Sequence, residues 1–274
     1  MRGRTLHFIH LSDSHVRSAE GRDADLGRLG GVVERIGALH ADGVPIDFVV
    51  HGGDLADAAD APGASAEATA DALTVLERLP LRWFLLNGNH DRRAFLEANA
   101  PRRGGLGEVP CVDTAGVAVR EIGGVRLVFV DANPERGGAE DVAGVISAAT
   151  VAGITRCLDA WEGRAALFLH YPPLPQEALW PASPTGGEAL HEALAARAAG
   201  LHGVFVGHNH RSTHHLCDGV LYVTAPALSR QFLLWPGQAV HALDEAPLAG
   251  LHYVTLEADG TTRVQHHAWR ERAI

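Results

Sequence analysis

The chain has 274 residues, 46% hydrophobic and 20% charged. That content supports one sizeable core and excludes a disordered or fibrous chain. Its 33 acidic residues outnumber 23 basic ones, for a formal charge of −10, which argues against a general nucleic-acid scaffold but leaves room for a local phosphate site.

Every basic residue is arginine, so lysine Schiff-base and P-loop lysine chemistry are both excluded. Cys111, Cys157 and Cys217 are widely spaced and form no CxxC pair. They predict neither a disulfide framework nor a thiolate zinc site, and read as small buried side chains. The apolar run Leu6–Ile9 is too short for a leader, and no segment reaches the ~20 apolar residues of a membrane helix. The expectation is a cytoplasmic protein without membrane contact. Seventeen histidines against one methionine direct attention to metals.

In chain order, the pattern predicts a strand over Leu6–Leu11, a helix over Ala24–Leu39 and a strand over Asp47–His51. A helix over Ala66–Leu79, a strand over Arg82–Asn87 and a helix over Arg92–Asn99 follow. Strands over Val117–Ile122 and Val125–Asp131 flank Gly123-Gly124, a hairpin signal. A helix over Ala148–Trp161, a strand over Ala165–His170, a helix over Gly187–Ala199 and a strand over Gly203–Gly207 come next. Val220–Thr224, Leu251–Glu257 and Thr262–His267 complete the strands. The alternation predicts an α/β core with some antiparallel pairing. Pro172–Gly187 and Pro226–Gly250 read as long loops carrying Trp180, Phe232 and Trp235.

Metal-capable side chains cluster just past five apolar strands. Asp13 and His15 follow the first, Asp54 and Asp57 the second, Asn89, His90 and Asp91 the third. His170 ends a fourth strand, and His208 with His210 ends a fifth. Loops at the carboxyl ends of strands converge on the ligand crevice of an α/β sheet. Oxygen and nitrogen donors without sulfur suit Fe, Mn, Zn or Co. Asp54 is placed to bridge two ions with its two carboxylate oxygens, and two ions ~3.5–4 Å apart can clamp a phosphate and activate a hydroxide. Arg92, Arg93 and Arg211 adjoin these motifs and could meet phosphate. His7 and His10 share the first strand, where alternation buries one of them. The pairs His214-His215 and His266-His267 are expected at the surface, and His191 shows no ligand spacing.

The series Asp13-x-His15, Gly53-Asp54-x-x-Asp57, Gly88-Asn89-His90-Asp91, His170 and Gly207-His208-x-His210 resembles the calcineurin-like metallophosphoesterases. Within them it looks most like the bacterial class III cyclic-nucleotide phosphodiesterases and the related glycerophosphodiesterases. Gly53-Asp54-Leu55-Ala56-Asp57 and the later Ala225-Pro226-Ala227-Leu228-Ser229 carry that likeness. Tyr171 stands where many members have a second histidine, and Asn87 where a proline or small residue is common.

The resemblance implies a four-layer α-β-β-α sandwich of two mixed sheets, one domain over residues 1–274. Residues 225–274 would form a loop and terminal strands near the active site. It implies two metal ions, the first held by Asp13, His15, Asp54 and His210, the second by Asp54, Asn89, His170 and His208. His90 matches a non-ligand catalytic histidine and Asp57 its orienting carboxylate, with Asp91 a competitor for that role. Asn89, His90, Arg92 and Tyr171 are the candidate substrate contacts. The expected activity is hydrolysis of a small phosphodiester by a metal-activated hydroxide, with 3′,5′-cyclic nucleotides the first candidates. A phosphomonoesterase or nucleotidase, a glycerophosphodiesterase, a polynucleotide nuclease and a non-catalytic metal-binding scaffold are the alternatives. A homodimer is implied by resemblance alone.

Overall fold

The computed structural model describes residues 4–57, 62–91, 96, 106–110, 112–133, 144–175, 183–233, 235, 242–244 and 248–269. It opens with strand β1 (Leu6–Leu11), helix α1 (Arg22–Ala41), strand β2 (Phe48–His51), helix α2 (Pro62–Leu76) and strand β3 (Trp83–Leu85). Strand β4 (Gly107–Glu108) and the hairpin β5 (Val117–Ile122) and β6 (Val125–Val130) follow. Helix α3 (Ala148–Asp159), strand β7 (Ala165–Leu169), helix α4 (Gly187–Ala195) and strand β8 (Leu201–Val206) continue the alternation. The chain ends in β9 (Thr213–Cys217), β10 (Val220–Thr224), β11 (Phe232–Leu233), β12 (Ala242–Leu243), β13 (Ala249–Leu256) and β14 (Thr262–Trp269). The predicted helix over Arg92–Asn99 lies outside the described residues except for Leu96.

Among the described residues two six-stranded sheets form, in the orders β14-β13-β1-β2-β3-β4 and β5-β6-β7-β8-β10-β9. Both are mixed. β1 runs parallel to β2 and antiparallel to β13, while β7 and β8 run parallel and β10 pairs antiparallel with β9. The predicted hairpin is present, with Gly123 and Gly124 at φ 58° and 86°, as a two-residue hairpin turn requires.

Period-two alternation decides what each strand presents to which layer. Phe8, Phe48 and Phe84 of the first sheet meet Phe129, Phe168 and Phe205 of the second in one buried cluster. Phe8 stacks on Phe48 at 5.0 Å and meets Phe205 edge-on at 5.1 Å. On the outer face of the first sheet, Ile9, Leu11 and Val49 pack against Leu29, Val32, Val33 and Ile36. Those four follow the i, i+3, i+4, i+7 spacing of one helix face, so α1 must lie on that sheet. Val128, Leu167 and Val204 pack against Ile154, Leu190 and Leu194 on the outer face of the other. The result is the expected α-β-β-α sandwich.

Candidate active site

The loops following β1, β2, β3, β7 and β8 converge where the carboxyl ends of these strands meet. Asp13, His15 and His210 form one group of donors and Asp54, His170 and His208 a second, each within 4.8 Å internally. All six are buried. In the first group His15 Nε2 lies 3.0 Å from His210 Nε2, and His210 Nε2 lies 3.5 Å from Asp13 Oδ1. In the second, His170 Nε2 lies 3.1 Å from both His208 Nδ1 and Asn89 Oδ1.

Asp54 joins the two. Its Oδ2 is 3.5 Å from His15 Nε2 and 3.3 Å from His170 Nε2, while its Oδ1 accepts the His90 N–H at 2.8 Å. The sequence reading gave both carboxylate oxygens to a bridge. The structure commits Oδ1 to the backbone and leaves Oδ2 shared between the groups.

The backbone is bent to make this approach. Among the described residues six non-glycine residues have positive φ, and five of them are Asp13, His15, Asp54, His208 and His210. Left-handed backbone disfavours such residues and persists where the surroundings over-determine it. A Cβ on Gly88 would sit 2.1 Å from Asp54 Oδ1, and one on Gly207 2.9 Å from Asp13 Oδ2. Neither position admits a side chain without moving a carboxylate.

Proton bookkeeping shows what the donors seek. His170 Nδ1 donates to the Gly52 carbonyl at 2.8 Å, and His210 Nδ1 to the Arg230 carbonyl at 2.8 Å. Each ring, once neutral, therefore turns an Nε2 lone pair inward. The His170 lone pair faces an Asn89 amide oxygen and an Asp54 carboxylate oxygen, an array of acceptors that a cation satisfies. Burial would lower the His170 pKa, yet the charges of Asp54 and Asp13 raise it to about 9. Burial pushes His208 and His210 well below their ordinary value, so both are neutral and fit to ligate. The sulfur-free N and O set fits two borderline divalent or trivalent ions.

His90 differs from its neighbours. Its side chain keeps 27% of its surface exposed, against 2% for His15 and 1% for His170. Its Nδ1 is 2.7 Å from Asp57 Oδ1. Asp91 does not compete, because its carboxylate accepts the N–H groups of Leu55, Ala56 and Gly88. It ties the Asp54 loop to the Asn89 loop.

One sequence-derived contact changes. Tyr171 is fully buried, with its ring against His170 and His208 at 5.0 and 4.8 Å and its hydroxyl donating to Asn133 Oδ1. It is a strut behind the donors rather than a substrate contact, since a side chain sealed from solvent cannot meet a diffusing ligand. Arg92 and Arg93 lie outside the described residues, as does Trp180. Phe232 is placed at the site, its ring 5.0 Å from His210, whereas Trp235 is 69% exposed.

Sequence reasoning missed Asn133, whose amide donates to the Gly88 carbonyl, and the Ser14–His51 pair. His51 Nδ1 accepts the Gly53 N–H, so its Nε2–H donates to Ser14 Oγ at 2.7 Å, fastening the first two loops together. The strand-end rule that found the other loops also points to Asp131 and Asn133, just past β6.

A family model for calcineurin-like phosphoesterases matches residues 6–212. The chain belongs to that family. A curated relative, the glycerophosphodiester phosphodiesterase GpdQ of Enterobacter lignolyticus (strain SCF1), is 31% identical over 233 residues, covering 82% of this chain and 78% of the relative. This phosphoesterase also superposes on a dimetal phosphatase from Danio rerio with a TM-score of 0.63, at 13% identity and over 94% of this chain and 98% of that one. Against a purple acid phosphatase of yellow lupin the TM-score is 0.65, at 14% identity, over 97% of this chain and 52% of the other. The structural likenesses establish the metallophosphoesterase fold. The family and its curated relative make the chain a metal-dependent phosphoester hydrolase with the donors of a binuclear centre. No described helix is long and apolar enough to cross a membrane.

Proposed function

We propose that this phosphoesterase hydrolyses small phosphodiesters, with Asp13, His15, Asp54 and His210 holding one ion and Asp54, Asn89, His170 and His208 the other. The observation that carries the proposal is Asp54 Oδ2 lying between the two donor groups, with His90 open to solvent beside them. Bound ions supply Lewis acidity, neutralise phosphate charge and make water nucleophilic near neutral pH.

The chain's own residues supply the rest. Asp57 accepts from His90 Nδ1 and holds the imidazolium, so that Nε2–H can be given to the leaving oxygen. Asp91 and Asn133 hold the loops that carry Asn89 and Asp54.

Charge alone favours a monoester, which carries nearly two negative charges to a diester's one. Preference for a diester must come from walls around its second arm. Of the aromatics expected to form such walls, Tyr171 is sealed in the core, Trp180 is outside the described residues, and Phe232 lies against His210. Among the described residues Phe232 is the ring at the site. The activity named for the 31% identical relative favours glycerophosphodiesters over 3′,5′-cyclic nucleotides.

Relative kcat/KM for bis-4-nitrophenyl phosphate, glycerophosphocholine, cyclic AMP and 4-nitrophenyl phosphate under one metal condition tests the proposal. Glycerophosphocholine should lead cyclic AMP, and both nitrophenyl diester and glycerophosphocholine should lead the monoester. A clear monoester lead would replace the diesterase with a phosphatase. The homodimer belongs to the same proposal. The exposed Leu233 and Leu243 of β11 and β12 are apolar area for such an interface, and light scattering reads the mass.

A further inference from the structure

A third group of donors lies away from the active site. Cys217 ends β9, Asp218 occupies the turn into β10, and His191 projects from the middle of α4. His191 Nε2 is 3.0 Å from Asp218 Oδ2 and 3.7 Å from Cys217 Sγ, and Cys217 Sγ is 3.9 Å from Asp218 Oδ2. The three atoms converge on one point, as the catalytic donors do. Zinc bond lengths of about 2.0 Å to nitrogen and oxygen and about 2.3 Å to sulfur give tetrahedral donor–donor edges of roughly 3.3–3.6 Å. The observed triangle brackets those edges.

The donors sit on rigid supports. Asp218 and Gly219 have φ 45° and 79°, the two-residue turn that the sequence Asp-Gly favours. A Cβ on Gly219 would lie 3.2 Å from Ala198 Cβ, so the turn is packed against the segment following α4. His191 is buried, and its Nδ1 is 2.8 Å from the Tyr222 hydroxyl. That is the outer partner that fixes a ligating imidazole and aims its other nitrogen. His215 stacks on Tyr222 at 4.9 Å and 14° and holds the ring in place. Asp218 is 72% exposed, so an ion can enter from solvent and keep a water in its fourth position.

We propose that His191, Cys217 and Asp218 form a second, separate binding site for one Zn²⁺-class ion, clamping helix α4 to the β9–β10 hairpin. Binding releases the Cys217 thiol proton to solvent and leaves a thiolate–metal bond, so affinity rises with pH. The site is remote from catalysis. β10 runs from this turn toward the Ala225–Leu228 segment, where Leu228 N bonds the Ser12 carbonyl beside Asp13, and five strand residues at about 3.3 Å each separate the two ends. Sequence reading missed the site because His191 stands 26 positions from Cys217 and the cysteines read as small buried side chains. Cys217 is in fact half-exposed, as is Cys157, against the expectation of buried cysteines.

The catalytic donors are nitrogen and oxygen only, which gives this site its own signature. Metal-stripped protein reloaded with Co²⁺ should bind three ions per chain and show a sulfur-to-cobalt charge-transfer band in the near ultraviolet. Cys217→Ser should lose the band and one ion, and keep diester hydrolysis within about twofold. Tyr222→Phe retains the ring and removes the outer hydrogen bond, so it should weaken the third ion by about 10–100-fold. Zn²⁺ should protect Cys217 from alkylation, read by peptide mass. Uptake of two ions without the band, or a band that survives Cys217→Ser, would overturn the proposal.

Discussion

His90 Nδ1 and His15 Nδ1 share one carboxylate oxygen, Asp57 Oδ1, at 2.7 and 3.8 Å. The shorter contact is a hydrogen bond that orients the solvent-open imidazole, while the buried His15 ring lies beyond hydrogen-bond distance of the same oxygen. Burial alone would lower the His90 pKa, but Asp57, Asp54 and Asp91 raise it above its ordinary value. The protonated form is the one stabilised, so activity that needs it is lost as pH rises through the raised pKa. Asp57→Asn removes part of that raise and should move the alkaline limb of kcat to lower pH. His90→Ala should cost ~10²–10⁴-fold in kcat with metal content unchanged, and less for nitrophenyl than for alkyl leaving groups. Steady-state rates across pH, with elemental analysis of each variant, check both.

Asp54 Oδ2 serves both donor groups, whereas Asn89 offers one neutral oxygen to one of them. Asp54→Ala should therefore lose at least one ion per chain and nearly all turnover. Asn89→Ala should retain the first ion and weaken the second. Elemental analysis after dialysis reads this, and full occupancy of both sites in Asp54→Ala would remove Asp54 from the bridging role.

The sequence carried the α/β alternation and the five donor loops because both depend on strong local signals, whereas the two-sheet sandwich came from the family resemblance. Apolar runs set the strands, and a metal-capable residue at a strand end is visible without a partner. β9 was not predicted, because its residues Thr213–Cys217 alternate between half-buried and exposed and no apolar run marks that edge strand. β4 spans two residues, too few for any period. The choice between Asp57 and Asp91 was illegible because both sit near His90 in sequence or pattern. Only the fold shows that backbone N–H groups already occupy Asp91. Tyr171 follows a ligand and reads as pocket wall, yet period-two alternation at the end of β7 turns its ring inward against His208.

Tyr171 and Asn133 form a chain from the His170 loop to the Gly88 carbonyl. Removing the hydroxyl breaks one hydrogen bond of about 1 kcal/mol and leaves the half-buried Asn133 Oδ1 without that donor. Tyr171→Phe should keep the fold with a small loss of stability, and lower kcat through a looser Asn89 more than it raises KM. Tyr171→Ala empties a core position and should cost ~3–5 kcal/mol. Urea unfolding compared with kcat and KM separates the two effects. A Tyr171→Phe protein with raised KM and unchanged kcat would return this residue to substrate contact.

His10 lies between the sheets, fully buried, and neither ring nitrogen has a hydrogen-bond partner among the described residues. Its ring meets Phe205 edge-on at 5.7 Å and His252 at 6.1 Å. Burial, reinforced by His214, pushes its pKa down to about 3. Burial, with His10 and His214 the next causes, takes His252 to about 2. The unfolded chain takes up a proton on each ring near pH 6.5, and the folded chain does not. Between pH 6.5 and about 3 the unfolded state therefore binds more protons, and stability falls as pH drops. Each such ring contributes up to about 1.4 kcal/mol per pH unit. His10→Leu removes one proton-binding group and leaves an apolar side chain against Phe205 and the neutral His252. The stability difference between variant and wild type, from urea unfolding at a series of pH values, should grow in the variant's favour from pH 7 to pH 4. A difference that stays constant over that range would show that His10 acts through packing and takes no part in acid unfolding.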